Sequence, residues 1–253
     1  MFSFLTRKKA TADPLPALSD FSFLYGDMHS HLVPGIDDGS QSLDNSVTFI
    51  QRLALMGIKH FITTPHIHGE MYDNDTEKVQ RSFQPLKDHL QQYLPDISMR
   101  ASAEYFLDNY FLTEVLPKGL MGFGSRNHVL VEVSMAGWPR NVNDLLFAVQ
   151  ANGYAPILAH PERYQYETNP DAFARIRDKG IALQLNLLSV TGYYGKAVQD
   201  MALVLMDRGL YDFCGTDLHH ERHLSRLEHM AGSFPEIMQQ LQSYAFKNRE
   251  LYF

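Results

Sequence analysis

The chain has 253 residues, of which 45% are hydrophobic and 20% charged, so it can form a substantial core in one large domain or two small ones. Its formal net charge of -7 argues against general nucleic-acid binding, which needs a basic surface. The single cysteine, Cys214, excludes an internal disulfide bond and indicates a reducing compartment. No segment approaches the roughly 18 apolar residues of a membrane-spanning helix, so we predict a cytoplasmic protein.

Residues 1–20 are predicted to form a flexible N-terminal tail. Their short apolar stretch precedes the basic segment 7–9, whereas a secretory signal has the reverse order. Residues 21–253 are predicted to form a single domain, because no internal repeat, low-complexity tract or linker rich in proline and glycine divides them.

Short apolar runs rich in β-branched residues alternate with longer helical patterns along this domain. The predicted strands are 25–31 (the weakest), 60–66, 97–104, 128–134, 155–161, 181–189 and 211–219. Predicted helices at 43–57, 142–153 and 195–209 each end at a glycine or just before one. Such alternation is typical of parallel strands joined by helical crossovers. Seven units in a chain of this length favour an α/β barrel over an open sheet, and no nucleotide-binding glycine motif is present.

Six of the seven predicted strands carry metal-binding side chains at or near their C-terminal ends. Because these ends meet at one face of a barrel, we expect the side chains to converge. Residues two apart on a strand point the same way, so His29 and His31 can reach one ion, as can Asp217 and His219. Nine mixed ligands suit two or three zinc, manganese or iron ions. The predicted ligands are His29, His31, Asp37, His66, Glu104, Glu132, His160, Asp217 and His219.

Each of these residues taken alone has an ordinary structural explanation. A lone histidine in an apolar strand is more often a hydrogen-bonded core residue than a ligand, and a carboxylate after an apolar run is usually solvated. Their shared position at strand ends supports a common site. By contrast, Asp38 is expected to shape the turn after Asp37. Asp27 is expected either to support the metal ligands through hydrogen bonds or to have a purely structural role. His68 lies beyond its strand end and is a weaker candidate than His66.

The motifs DMHSH, TTPH, SAEY, VEVS, AHPERY and GTDLH resemble those of the PHP (polymerase and histidinol phosphatase) metal-dependent phosphoesterases. The likeness is greatest to the bacterial capsule and exopolysaccharide protein-tyrosine phosphatases, through HSHLVPGIDDG and AHPERY, and it spans roughly residues 24–220. It implies a distorted (β/α)7 barrel with two or three divalent ions, manganese first and iron or zinc as alternatives. It also implies that Arg163 binds the substrate phosphate, with a second arginine at Arg222 or Arg226.

The expected reaction is direct hydrolysis of a phosphoester by metal-activated water, with Asp217, His219, Arg163 and Arg222 in the catalytic site. Four carboxylates contribute about -4, so three divalent ions would leave a pocket of about +2 that attracts phosphate. The general acid stays open between His220 and a metal-bound water. No Cys-x5-Arg loop surrounds Cys214 to support a cysteinyl-phosphate route.

Three other functions compete with a protein-tyrosine phosphatase. The first is hydrolysis of histidinol phosphate or another small phosphoester at the same site. The second is an amidohydrolase, although those enzymes commonly have a lysine where Glu132 stands. The third is a regulatory protein that binds metal without catalysis. The expected partner is a phosphotyrosine protein, with a bacterial tyrosine kinase as one candidate, and oligomerisation stays open. Aromatic residues near strand ends are candidates to flank a phenyl ring, namely Tyr105, Trp138, Tyr164, Tyr193 and Tyr194.

Overall fold

The computed structural model describes residues 18–253. Residues 1–17 of the predicted tail lie outside the described residues, so the tail stays a prediction. Just after them, Ser19 is buried, and its hydroxyl donates to the carbonyl of Glu228 and accepts from the backbone N–H of Ala231.

Eight short strands, all paired in parallel, make up the sheet structure of this part of the chain. Strands β2, β4, β5, β6, β7 and β8 lie side by side in that order, and β1 pairs with β3. The bounds are β1 His60–Thr63, β2 His66–Ile67, β3 Ser98–Ala101, β4 Glu104–Phe106, β5 His128–Glu132, β6 Ala155–Ala159, β7 Ala182–Asn186 and β8 Phe213–Gly215.

Two of the predicted strands are interrupted. The strand predicted at 60–66 forms β1 and β2 on either side of Pro65, which has no N–H to donate. Its neighbour, predicted at 97–104, forms β3 and β4. The pairing continues across both breaks, because the N–H of Ser102 donates to the carbonyl of Thr63 and that of Glu104 to the carbonyl of Pro65. β1 and β2 therefore act together as one barrel strand, and so do β3 and β4.

The first predicted strand, 25–31, forms isolated bridges instead of a regular strand. Asp27 pairs in parallel with Phe61, and Ser30 pairs in parallel with Leu218 just after β8. The segment thus lies between the first and last strands and joins the two ends of the strand order. This arrangement of seven parallel neighbours confirms the predicted distorted (β/α)7 barrel.

The helices follow the strands as predicted. The helices predicted at 43–57, 142–153 and 195–209 are confirmed to within two residues at each end. Within residues 18–253, no helix is both long and apolar enough to cross a membrane. The helices are α1 Leu43–Leu55, α2 Thr76–Tyr93, α3 Val142–Ala151, α4 Pro170–Asp178, α5 Lys196–Asp207, α6 Glu221–Glu228, α7 Met230–Ser233 and α8 Pro235–Ser243.

A small apolar cluster lies apart from the main core, and it includes Leu130, Ile157 and Phe213. Leu130 is two residues before Glu132 on β5, and Phe213 is four residues before Asp217. Alternation along a strand therefore places these apolar residues on the same face as the carboxylates nearer the C-terminal end. The candidate site thus lies next to an apolar layer. Charged groups interact strongly in such surroundings, because the local dielectric constant is low.

Asp212, directly before β8, forms an ion-pair network with Arg177 and Lys247. Asp212 accepts hydrogen bonds from Arg177 at 3.0 and 3.2 Å and from Lys247 at 2.8 Å. Burial alone would raise the pKa of Asp212, but these cations lower it below the ordinary value. Asp212→Asn is expected to reduce the free energy of unfolding by about 1–3 kcal/mol at pH 7, measured by urea denaturation.

The pH dependence of this difference has a definite sign. An unfolded aspartate ionises near pH 3.9, so the stabilisation is complete above about pH 5 and disappears as the pH falls through the lower folded pKa. The matched control is Asp200→Asn, which removes an exposed i,i+4 pair with Lys196 and should change stability by less than about 0.5 kcal/mol. Equal losses in the two variants would contradict the prediction.

Candidate metal centre

Glu104 on β4 lies at the centre of the converging side chains and is almost completely buried. Its Oε2 lies 3.2 Å from Nε2 of His29, 3.4 Å from Nε2 of His31 and 3.3 Å from Nδ1 of His66. Its Oε1 lies 3.2 Å from Nε2 of His160. One carboxylate therefore contacts four imidazoles from three different parts of the barrel rim.

Three overlapping groups of side chains have ligand atoms within 4.8 Å of one another, close enough to hold metal ions. Seven of the nine predicted ligands belong to these groups, and His31, His66 and Glu104 each belong to two. The groups are His29, His31, Glu104 and Asp217; His66, Glu104 and Glu132; and His31, Asp38, His66 and His219.

Asp37 was predicted as a ligand and Asp38 as a turn residue, and their side chains have different surroundings. Asp38, expected only to shape the turn, has its Oδ1 3.6 Å from Nε2 of His66 and 3.5 Å from Nε2 of His219. Asp37 is buried, and it is engaged by Nδ1 of His31 at 2.8 Å and by the backbone N–H groups of Gly39 and His66. Asp37 belongs to none of the three groups, whereas Asp38 belongs to one of them.

His160 and Asp217 have left-handed backbones, with φ of 33° and 51°. This conformation is uncommon for residues other than glycine and often occurs at functional sites. His160 follows β6 directly, and Asp217 follows β8 after one intervening residue. His160 belongs to none of the three groups, but it contacts Glu104, which belongs to two of them.

Hydrogen bonds fix the orientation of three of the histidines. In each ring Nδ1 faces an oxygen that can only accept, so Nδ1 carries a proton, and Nε2 is the nitrogen that can bind a metal ion once it has lost its own proton. Such partners are typical of metal-binding histidines. The pairs are His29 with Oε1 of Gln184 at 2.9 Å, His31 with Oδ2 of Asp37 at 2.8 Å and His219 with the carbonyl of Asp217 at 2.9 Å.

Gln184 and Asn186 on β7 are site residues that the sequence reasoning missed. Both are completely buried. Gln184 accepts from His29, and Nδ2 of Asn186 donates to Oδ2 of Asp217 at 2.8 Å. The available signal was their spacing, because two amides two residues apart in an apolar strand must point to the same face.

The charges of the cluster compensate one another. Burial alone would lower the pKa of His29, but Glu104 and Asp217 outweigh it and raise that pKa to about 10. Burial would conversely raise the pKa of Glu104 and Asp217, whereas the neighbouring histidines lower both. In a protein without metal, protons on imidazoles therefore balance the buried carboxylates.

The donor set fits divalent metal ions. Within the described residues, Glu104 Oε1 and His66 Nδ1 are buried but have no partner in hydrogen-bond geometry, although carboxylate and imidazole atoms lie 3.1–3.3 Å from them. Imidazole and carboxylate ligands are those that zinc, manganese and iron accept.

Arg163 lies beside the cluster in the short 3-10 turn Pro161–Arg163. Its Nη1 donates to Oδ2 of Asp217 at 2.7 Å, and its guanidinium lies 4.5 Å from the centre of the Tyr194 ring. Its side chain is 25% exposed. An arginine has five N–H donors, and Asp217 is the one hydrogen-bond acceptor that Arg163 meets within residues 18–253. The remaining donors are free for an anionic substrate.

The two candidates for a second arginine differ in their surroundings. Arg222 is exposed in the first turn of α6, and no hydrogen bond or ion pair joins it to the cluster in the described part of the chain. Arg226 lies over the ring of Phe234 at 5.0 Å. Near Arg222, His220 is exposed and its ring lies tilted against that of His223, with 4.0 Å between the ring centres.

The five aromatic residues that are candidates to flank a substrate ring also differ in their surroundings. Tyr105 and Tyr164 are almost completely buried in the core, which identifies them as packing residues. Trp138 packs on Tyr164. Tyr193 packs against Tyr194, and Tyr194 is the member of the set whose ring lies under Arg163.

Comparisons with known proteins agree with this geometry. A family model described as "Capsular polysaccharide synthesis, CpsB/CapC" matches residues 25–247. The tyrosine-protein phosphatase YwqE of Bacillus subtilis is 26% identical over 195 residues, which are 77% of each protein. The tyrosine-protein phosphatase CpsB of Streptococcus pneumoniae is 24% identical over 200 residues, which are 77% of this chain and 82% of that protein.

A solved structure supports the same fold. It comes from work on YwqE of Bacillus subtilis and CpsB of Streptococcus pneumoniae, which are described there as unique metal-dependent tyrosine phosphatases. The similarity covers 90% of this chain and 96% of the solved chain, with a TM-score of 0.71 and 24% sequence identity. Since the family model covers most of its length, this chain belongs to the CpsB/CapC family of capsular polysaccharide synthesis.

Proposed function

We propose that the protein is a metal-dependent protein-tyrosine phosphatase that acts in the control of capsule or exopolysaccharide synthesis. The observation that carries this proposal is the position of Arg163, whose free N–H donors lie beside three overlapping groups of metal-binding side chains. The names of the CpsB and YwqE relatives support the tyrosine phosphatase activity, and the family supports the link to capsule.

The proposed metal ligands are the seven residues that the groups share with the prediction, together with Asp38. Asp37 is proposed to orient His31, and His160 to bind beside Glu104. Counting Asp37 and Asp38 with Glu104, Glu132 and Asp217 gives about -5 in ionised carboxylates, which two or three divalent ions would largely balance. Manganese is our first choice, with iron or zinc as alternatives. Bound divalent ions would supply Lewis-acid activation of water for attack on phosphorus.

Arg163 is proposed to bind the phosphate. A guanidinium grips two phosphate oxygens with its planar fork, and it stabilises the negative charge that spreads over them in the transition state. Asp217 holds one edge of this fork and leaves the others free. Arg222 is the better candidate for the second arginine, because Arg226 already stacks on Phe234. His220 stays a candidate general acid.

Two features oppose a cysteine-based phosphatase. Cys214 is completely buried in β8, and burial raises its thiol pKa well above the ordinary value. A nucleophilic cysteine needs the opposite shift, because the thiolate is the reactive form. The proposed reaction therefore uses water as the nucleophile.

The proposal also covers the substrate, the partner and the cellular compartment of the enzyme. A phosphotyrosine protein is the proposed substrate, and a bacterial tyrosine kinase is the proposed partner. The single buried thiol supports a reducing compartment such as the cytoplasm.

Metal removal tests the core of the proposal. Thorough chelation is expected to abolish hydrolysis of a phosphotyrosyl peptide, and added manganese to restore it, because the proposed mechanism activates water through the bound ions. Asp217→Ala and His219→Ala are expected to lower kcat by at least about a hundredfold. Asp207→Ala, which changes an exposed carboxylate at the end of α5, is the matched control and should retain the wild-type rate. Activity that survives chelation would refute the mechanism.

The neighbouring aspartates provide a second test. Asp38 is 54% exposed at its side chain and makes its contacts within the cluster, so Asp38→Asn is expected to weaken metal binding without lowering stability in metal-free buffer. Asp37→Asn is expected to lower both, because Asp37 is buried and hydrogen-bonded to His31, Gly39 and His66. Calorimetric metal titration and urea denaturation measure the two effects. Identical behaviour of the variants would contradict the assignment.

Substrate comparison separates the proposed activity from that of a small-molecule phosphatase. A phosphotyrosyl peptide is expected to give a higher kcat/KM than histidinol phosphate, since a phenolate, with a pKa near 10, leaves more easily than an alkoxide. Both substrates are assayed with the same manganese-loaded protein. Preference for histidinol phosphate would favour the alternative function while leaving the metal centre unchanged.

A further inference from the structure

We infer that Tyr194 and Asn186 are positioning residues that hold the Arg163 guanidinium ready for phosphate, an inference that rests on the phosphatase function proposed above. Four side chains form a closed ring of contacts. Nη1 of Arg163 and Nδ2 of Asn186 both donate to Oδ2 of Asp217, at 2.7 and 2.8 Å. Nδ2 of Asn186 also donates to the hydroxyl of Tyr194 at 3.2 Å. The ring of Tyr194 lies 4.5 Å from the guanidinium and completes the circuit.

Asn186 is held in one orientation at the end of β7. Its Oδ1 accepts from the backbone N–H of Leu188 at 2.9 Å, so its Nδ2 must face the other way, toward Asp217 and Tyr194. Its own backbone N–H donates to Oε1 of Glu162 at 3.0 Å, in the turn that carries Arg163. The amide thus connects the end of β7 to both sides of the phosphate-binding arginine.

Tyr194 supplies the surface on which Arg163 rests. It lies just before α5, next to Gly195, and most of its side chain is enclosed. A cation over an aromatic face is attracted by the ring, and the attraction strengthens when water is excluded. The hydrogen bond from Asn186 holds the phenol end of the ring, so the platform itself is fixed.

Arg163 needs such support because of its charge and its flexibility. A long, flexible arginine side chain loses rotamer entropy when it is immobilised. The acidic cluster would also attract a free guanidinium and occupy more of its donors. The ring limits Arg163 to one bond with Asp217 and immobilises it before the substrate arrives, so phosphate binding does not have to order it.

The main alternative is that Tyr194 contacts the substrate directly, for example by packing on its phenyl ring. A double-mutant cycle distinguishes the two, because a residue that acts through Arg163 has no effect once Arg163 is removed. Inorganic phosphate is the suitable probe, since it has no phenyl ring.

The experiment measures the Kd of inorganic phosphate by calorimetry on the manganese-loaded full-length chain. Tyr194→Leu is expected to raise this Kd about 3- to 30-fold, the range of a partly desolvated cation–π contact. Tyr194→Phe, which keeps the aromatic face, should raise it less than Tyr194→Leu. In the Arg163→Ala background, Tyr194→Leu should have no further effect. Manganese affinity should be unchanged in Tyr194→Leu, because Tyr194 belongs to none of the groups of metal-binding side chains.

Tyr166→Leu is the matched control, since it removes a half-buried tyrosine that packs on Trp138 and Tyr164 instead of Arg163. It should leave the Kd of phosphate unchanged. If Tyr194→Leu does not fold, Tyr194→Met, which is also without a π face, takes its place. An unchanged Kd in the leucine or methionine variant, or an equal effect with and without Arg163, would overturn the inference. Failure of the phosphatase proposal is distinguishable, because it would appear as absent hydrolysis by the wild-type protein.

Discussion

The structure of the candidate site depends on how one buried carboxylate is compensated. Glu104 has no lysine or arginine in ion-pair contact within residues 18–253, and four imidazoles surround it instead. A carboxylate in such an environment is stable only if positive charge lies close to it. Protons on the histidines meet this need in the metal-free protein, as the raised pKa of His29 and the lowered pKa of Glu104 indicate. Divalent ions would meet the same need by replacing those protons.

The barrel supplies this arrangement through simple geometric rules. Parallel strands deliver their C-terminal ends to one rim, and alternation puts apolar residues beneath the charged ones. Gly215 shows how closely the parts fit, because a Cβ atom at this position would lie 2.6 Å from Cβ of His29 and 3.2 Å from Nε2 of Gln184. At the same rim, His160 and Asp217 have left-handed backbones, which are uncommon outside glycine and often occur at functional sites.

Much of this site was predictable from the sequence, because the rules that place it are local. Strand-end position and two-residue spacing bring His29, His31, Glu104 and Asp217 together. Two features were not predictable. The sequence IDDG does not determine which aspartate joins a group of metal-binding side chains. Both lie in a turn, where the sequence has no periodic pattern that predicts side-chain direction. The interruption at Pro65 is visible in the sequence, but the hydrogen bonds that continue the pairing across it depend on the neighbouring strand.

The amides of β7 were missed for a different reason. They matter because they hold metal-binding side chains without adding negative charge. A strand without charged ligands looks irrelevant when ligands are counted. Gln184 and Asn186 nevertheless hold His29 and Asp217 through hydrogen bonds of 2.9 and 2.8 Å. Carboxylates at these positions would also accept hydrogen bonds, but each would bring another negative charge into a cluster that already has more carboxylates than one ion can balance. At position 186 a carboxylate would in addition repel Asp217 and lose the N–H group that holds it. Neutral amides orient the ligands at no cost in charge, so a buried strand with polar but uncharged residues two apart belongs among the sequence signals of a metal centre of this kind.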